Sequence, residues 1–254
     1  MRRTLIVSAA IVALGTGVAS AADLPMKAPP PVYAPQIFTW TGFYIGGNIG
    51  AAWTRSEWQD TLFDLDWGRT NDARFIGGGQ IGVNYAFGGG SNFVIGAEAD
   101  FDWVGNHNGN GVTVVGPLGH GFNVVSNDTW ITTFAARIGF AADRALFYGK
   151  FGGGWVGNNG FTVTDLTTGG AFTSSSNTAS GWLVGAGIEY AFTNNWTVKL
   201  EYDYLGLPSR TFVVTGTVIP ALAGDTITSN HNVQELKLGV NYLFNFGGPV
   251  VARY

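Results

Sequence analysis

The stretch HNVQELKLGVNYLF, His231 to Phe244, decides the fold. From Leu236 its residues alternate without a break. Leu236, Leu238, Val240, Tyr242 and Phe244 share one face; Glu235, Lys237, Gly239 and Asn241 share the other. A period of two is the signature of a β-strand. One face is wholly apolar and ends in two aromatics, while the opposite face carries an acid, a base, a glycine and an amide.

The end of this strand recurs. Gly82 to Phe87 and Gly187 to Phe192 repeat Gly239 to Phe244 as G-x-x-Y-x-F, at spacings of 187 − 82 = 105 and 239 − 187 = 52. A degenerate copy falls at Arg137 to Ala142, where 139 − 82 = 57. Four copies of one two-strand unit make eight strands.

Working back from the last strand, the same alternation picks out Thr41 to Trp53, Ala73 to Phe87, Phe93 to Val104, Asp128 to Ala141, Ala145 to Val156, Ala179 to Phe192 and Trp196 to Leu205. The connections are alternately long and short. Residues 54–72, 105–127, 157–178 and 206–230 read as long polar loops; 88–92, 142–144 and 193–195 read as tight turns. Such a chain is an antiparallel up-and-down meander with all long loops at one end.

The N-terminus carries an export signal over residues 1–21. Arg2 and Arg3 form a charged start, Leu5 to Val18 an apolar run, and Ala19-Ser20-Ala21 a small-residue cleavage site. Its removal takes the formal charge from −4 to 11 − 17 = −6. An acidic chain lacks the basic face that nucleic acid requires. Residues 22–40, with Pro25, Pro29, Pro30, Pro31 and Pro35, read as an extended periplasmic linker. Cysteine is absent, which excludes disulfides and thiol chemistry. No segment after the signal is apolar enough to span a membrane as a helix, so a membrane-inserted form must use strands.

Two barrels fit the meander. A soluble barrel points its apolar face inward around a ligand, whereas a transmembrane barrel points it outward to lipid. Four features favour lipid. The strands have roughly the length needed for a tilted crossing, and the apolar face is free of charge on every strand. Aromatics stand at both ends: Trp53, Trp103, Trp130, Trp155 and Trp182 toward the long loops, and Tyr85, Phe87, Tyr190, Phe192, Trp196, Tyr242 and Phe244 toward the short turns. Two girdles of this kind are an interfacial pattern. Long loops on one side and short turns on the other match outer-membrane asymmetry. The expected fold is an all-β, eight-stranded antiparallel transmembrane barrel over residues 41–254, with its last strand paired to its first.

The inward face then gathers Glu98, Asp100, Asp102, Glu189, Glu201, Asp203 and Glu235 with Arg74, Arg137, Lys150, Lys199 and Lys237. Adjacent strands suggest the pairs Glu98 with Arg137, Lys150 with Glu189, and Glu201 with Lys199 or Lys237. In a lumen that side chains just fill, this is either a salt-bridged plug or a gated, weakly conducting pore. Catalysis has little footing. His107, His120 and His231 fall in or beside long loops, and a set of His231, Ser229 and Asp225 is of types that loops normally solvate. Asp60, Asp64 and Asp66 lack calcium-loop spacing. No cofactor, metal or catalytic residue is expected.

Several stretches also carry a family resemblance. Ala22-Asp23-Leu24-Pro25, the proline-rich linker, Trp40 to Gly50 (WTGFYIGGNIG) and the ending Leu236 to Tyr254 resemble the alphaproteobacterial outer-membrane β-barrel immunogens, also called porin-family proteins. The resemblance covers essentially the whole mature chain. It implies an OmpA-type eight-stranded barrel without a peptidoglycan-binding domain, in contact with outer-membrane lipid and lipopolysaccharide. Lys237 to Phe244 is similar to the C-terminal signal read by the barrel-assembly machinery, with Lys237, Gly239, Tyr242 and Phe244 at its marked positions. Ten residues, Asn245 to Tyr254, follow the aromatic pair, a departure from the commoner pattern. The function expected is structural and surface-facing, with a small-solute porin, or a loop-based binder of haem or a host ligand, as alternatives. The sequence names no surface partner.

Overall fold

The computed structural model describes residues 38–60, 65–88, 92–105, 112–115, 121–173, 177–213 and 226–245. The signal segment, most of the linker and the tail beyond Asn245 lie outside the described residues. In chain order the strands are β1 (Gly42–Asp60), β2 (Leu65–Ala86), β3 (Phe93–Val104), β4 (Val112–Val115), β5 (Gly121–Ala142), β6 (Ala145–Asp165), β7 (Ala171–Thr173), β8 (Asn177–Ala191), β9 (Trp196–Gly206), β10 (Arg210–Val213) and β11 (Thr226–Asn245).

Eight of these strands form the wall, in the order β1-β2-β3-β5-β6-β8-β9-β11, each antiparallel to the next. β11 returns to β1 in an unbroken ladder from Gly42↔Asn245 to Asp60↔Ile227. The barrel is therefore closed. No backbone edge faces the hydrocarbon, where an unpaired N–H or C=O costs several kcal/mol.

The stagger follows from the registers. Ile45 leads through Ile81, Ala99, Phe134, Gly153, Trp182, Gly206 and Asn232 back to Arg55 on β1. One circuit thus climbs 55 − 45 = 10 residues. Eight strands with this shear tilt by roughly 40°. Such a tube is narrow enough for side chains to fill.

The alternation read in the sequence becomes two opposed surfaces. Along β9, Trp196, Leu200 and Tyr202 are exposed while Thr197, Lys199, Glu201 and Asp203 are buried. The same holds around the wall, where Phe75, Ile81, Phe134, Ile138, Phe151, Ile188 and Leu238 stand outward. A continuous apolar belt of this size is foreign to a water-soluble surface and suits lipid.

One expectation is corrected. Residues 54–72, 105–127, 157–178 and 206–230 are not simple loops. β1 and β2 continue together as far as Asp60↔Leu65, and β5 and β6 as far as Phe122↔Asp165, through bulges near Asp128. β3, by contrast, stops at Val104 and β9 at Gly206. Beyond the belt the wall divides into two ribbons, β2-β1-β11-β10 and β4-β5-β6-β7. The sequence hides this because runs such as Ser126-Asn127-Asp128 and Gly157 to Gly160 interrupt the apolar alternation there. The backbone ladder persists, but the period-two pattern that reveals a strand needs one dry face.

At the opposite end the turns are tight. Asp143 adopts φ 53°, the left-handed conformation a two-residue turn requires. The turns also brace neighbouring strands: Ala191 N–H bonds Arg144 O at 2.8 Å, and Leu243 N–H bonds Asn195 O at 2.6 Å.

Candidate functional site

The lumen has three layers. At the short-turn end, Trp40, Val94, Leu146, Tyr148 and Ala191 pack together, with Phe38 against them. Trp40 precedes β1 and folds over the mouth of the barrel, its Nε1–H donating to Asp143 O at 3.2 Å. Arg144 covers the Phe38 ring, 5.3 Å from its centroid. At the long-loop end, Ala52, Ile76, Ile131, Ala135, Val156, Leu183, Leu205 and Val233 form a second apolar lid. The charged side chains lie between the lids. Asp102, Asp203, Lys199 and Lys237 are 0% exposed, so no water outside the barrel touches them.

All twelve sequence-predicted lumen charges are buried. Arg137 Nη1 meets Glu98 Oε2 at 3.1 Å, as the adjacent-strand argument expects. Its Nη2 takes Glu189 Oε2 at 2.8 Å. The expected Lys150–Glu189 pair does not form among the ion pairs of the described residues, because the Glu189 carboxylate is already held by Arg137, Thr197 and Asn241. Lys150 turns instead to Glu201 at 2.9 Å, Glu98 at 3.1 Å, and Asp100 and Asp203 at 3.3 Å. Glu201 contacts both lysines offered to it, Lys199 at 3.4 Å and Lys237 at 3.5 Å. Arg74 sits at the upper margin and donates to Asp128 O at 3.2 Å.

Glycine makes this density possible. A long side chain on one strand reaches over an inward-facing glycine on the next to meet a partner two strands away. Tyr44 passes over Gly82 to Glu98, and Tyr148 passes over Gly187 to Glu201. Lys150 passes over Gly185 to Asp203, and Gln80 over Gly46 to Asn241 at 2.7 Å. A Cβ at Gly82 would lie 2.3 Å from the Tyr44 hydroxyl, and one at Gly187 2.5 Å from that of Tyr148. Arg137 lies between the two tyrosines, 3.8 Å from the Tyr148 ring centroid and 5.4 Å from that of Tyr44, and also donates to the Tyr44 hydroxyl.

Glu98, Asp100 and Glu201 bring carboxylate oxygens within 4.8 Å of one another, a spacing a metal ion could use. The ammonium groups of Lys150 and Lys199 stand among them and already meet this donor set.

The predicted girdle residues all lie on the outer face. Trp103 and Trp130 are register partners at the long-loop end, and Phe43 stacks on Phe244 at 4.3 Å at the other. Tyr242 meets Trp196 and Phe244 edge-on, at 5.1 and 4.8 Å. Of the marked assembly-signal positions, Tyr242 and Phe244 face outward while Lys237 and Gly239 face the lumen. His107, His120, Asp64 and Asp225 lie outside the described residues, as do the side chains of Asp60, Asp66 and Ser229. His231 is in β11, where its carbonyl accepts from Leu207 N–H at 3.2 Å.

Sequence reasoning missed the two lids and the bridges over glycine. Inward Ile76, Leu183 and Leu205 flank outward aromatics and read only as breaks in a polar face. Their meaning depends on meeting one another across the barrel.

The chain matches the family model described as "Outer membrane protein beta-barrel domain" over residues 9–244. The chain belongs to this outer-membrane barrel family. It is 32% identical to the 31 kDa outer-membrane immunogenic protein of Brucella melitensis biotype 1, over 94% of this chain and 99% of that protein. It is 26% identical to the 22 kDa outer membrane protein of Rhizobium leguminosarum bv. viciae, over 81% and 79% of the two chains. Among solved structures, OprG of Pseudomonas aeruginosa aligns at TM-score 0.47 and 12% identity, covering 82% of this chain and 99% of that one. The protein is thus an eight-stranded barrel of the outer membrane, in a family whose alphaproteobacterial members include named immunogens.

Proposed function

We propose that this family member is a closed, non-conducting barrel that serves the envelope structurally and makes its surface contacts through the two ribbons and their loops. The observation that carries this reading is the sealed charge layer. Between the lids, Lys150 and Lys199 each contact three or more carboxylates. A permeating ion would have to break these contacts and cross both lids. Breaking one member of a buried pair costs about 3–5 kcal/mol, which opposes spontaneous opening. On this reading the outward aromatics anchor the barrel in lipid and lipopolysaccharide, and the end of β11 engages the assembly machinery. No catalytic step is part of it.

Planar-bilayer recording tests the proposal. The folded barrel, inserted at low protein density, should show no discrete conductance steps over a wide voltage range. Regular single-channel steps would favour the small-solute porin reading instead.

A further inference from the structure

The lipid-facing belt is concave in one region. There β3 presents only Ala97 and Ala99 outward. Their register partners on β2 are Val83 and Ile81, and Ala99 meets Phe134 of β5 on its other side. The two short side chains leave a trough of about 510 Å³, bounded by Phe134 at one end and by Phe43 and Phe244 at the other. Tyr44 and Glu98 also contribute to its lining, although their side chains turn into the lumen and bond each other there. The trough therefore reaches down to the strand backbone. Ile81 and Phe134 stand 58% exposed beside it, so its walls are free to grip an occupant.

The course of the trough through the membrane is a second observation. Phe43 and Phe244 stack at the periplasmic rim, where β1 begins and β11 ends. From Ile45 the register line runs through Ile81 and Ala99 to Phe134, and it climbs toward the long-loop end, as the circuit from Ile45 to Arg55 requires. Two residues along β1 and three strand spacings across, on strands so tilted, raise the trough by about 14 Å. The apolar band of such barrels is about 25 Å tall. The trough thus spans one leaflet, from the periplasmic rim to the midplane.

We infer that this trough holds one acyl chain of an inner-leaflet phospholipid, with the headgroup at the Phe43–Phe244 rim and the chain end against Phe134. The belt around it is continuous with the bilayer, which supplies the occupant. A hydrocarbon chain suits apolar walls and needs no hydrogen bond. A peptide laid there, such as residues 246–254 that follow Phe244 and Asn245 in the sequence, would bring N–H and C=O groups into hydrocarbon without partners. A second barrel would meet the trough with another convex wall and bridge it. A chain in the trough touches protein on several sides, and these added dispersion contacts hold it longer than lipid on the convex belt. The inference rests on the lipid contact proposed above and is independent of whether the lumen conducts.

The test uses the full mature chain in nanodiscs of phosphatidylethanolamine and phosphatidylglycerol. Native mass spectrometry counts the lipid that stays bound after collisional release. The wild type should retain one phospholipid per barrel. So should Ala186→Phe, a control on the outer face of β8. Ala97→Phe and Ala99→Phe fill the trough and should lose the lipid. In a second measurement, phosphatidylethanolamine carrying a diazirine near the end of its chain is photolysed on the wild type. Label should concentrate on Ala99 and Phe134. This measurement needs no variant, so a misfolded Ala99→Phe does not shield the inference. Equal lipid retention by wild type and Ala99→Phe overturns it, as does label spread evenly over the belt. Release of paired barrels without lipid would assign the trough to a second copy and overturn it. Lipid retention only after deletion of residues 246–254 would assign it to the tail and do the same. A chain that fails to enter the nanodisc at all would overturn the lipid-facing belt together with the inference, whereas the other failures leave the belt standing.

Discussion

The Tyr44 hydroxyl donates to the Glu98 carboxylate at 2.7 Å although a whole strand, β2, separates the two residues. Gly82 on that strand is the register partner of both, and its missing side chain is the gap the tyrosine ring occupies. Tyr148, Gly187 and Glu201 repeat the arrangement, also at 2.7 Å. The offsets are 148 − 44 = 104, 187 − 82 = 105 and 201 − 98 = 103. The two halves of the barrel therefore carry the same tyrosine–glycine–glutamate bridge, and the long repeat in the sequence corresponds to a repeated packing device. Arg137 contacts both tyrosines and joins the two copies.

Filling either gap should weaken the barrel. Gly82→Val and Gly187→Val are each expected to cost about 1–3 kcal/mol, the usual range for overpacking a filled interior. Gly77 faces outward, and a Cβ there would make only ordinary contacts of 3.5 Å or more. Gly77→Ala should accordingly be neutral or stabilising by up to about 1 kcal/mol. The urea midpoint of the folded-to-unfolded gel-mobility shift measures all three. Equal effects at Gly77 and Gly82 would contradict the bridging role.

Arg137 should be the most sensitive of the lumen charges. Arg137→Met leaves Glu98 without its guanidinium contact and Glu189 with only the neutral donors Thr197 and Asn241. Removing one partner of a buried pair costs about 3–5 kcal/mol. The triple change Arg137→Met/Glu98→Gln/Glu189→Gln should recover a large part of that loss, because no unpaired charge remains at the site. Denaturant titration of the folded fraction reads both variants. Failure of the triple variant to recover stability would mean that Arg137 acts mainly by stacking on Tyr148.

The wall of this barrel was legible in the sequence because a lipid-facing strand has one strictly apolar face. Phe43 to Trp53 and Leu236 to Phe244 announce their outward faces residue by residue. The membership of the charge layer was equally readable, since every charge on a crossing strand had to point inward. Its wiring was not. Lys150 lies beside Gly185 in the ladder, and only the absent side chain there lets it reach Asp203 one strand further on. Adjacent-strand logic paired it with Glu189 because that logic has no term for a bridge across glycine. The ribbons are hidden for a different reason: runs such as Ser126-Asn127-Asp128 and Gly157 to Gly160 break the apolar alternation while the β5–β6 ladder resumes beyond them.

Trp40 closes the short-turn mouth, and its loss separates sealing from stability. Trp40→Ala removes a buried indole and its bond to Asp143 O. Phe or Trp truncation in a core costs about 3–5 kcal/mol, so the unfolding midpoint should drop clearly. Conductance should nonetheless stay absent, because the lid of Ile76, Ile131, Leu183 and Leu205 at the far end is untouched. Bilayer recording of this single variant checks it. The appearance of channel steps would place the only effective barrier at the Trp40 end.

Which face meets lipid can be read from one strand. On β9, Leu200 is 52% exposed while its neighbours Lys199 and Glu201 are almost fully enclosed. Leu200 is near the middle of that strand and pairs with Leu238 and Ile188 on either side, deep in the apolar belt. An arginine on the lipid face near the midplane costs about 2–4 kcal/mol, falling toward zero at the interfaces. Leu200→Arg should therefore destabilise the refolded barrel by that amount in lipid vesicles. Trp196→Arg, at the interfacial end of the same strand and face, should cost about 1 kcal/mol or less in charge placement, apart from its lost ring contact with Tyr242. In a soluble barrel with this face in water, Leu200→Arg would be harmless and Trp196→Arg no milder. The depth-dependent difference, measured by reversible denaturant unfolding in vesicles, thus distinguishes a lipid-facing belt from a water-facing one within a single strand.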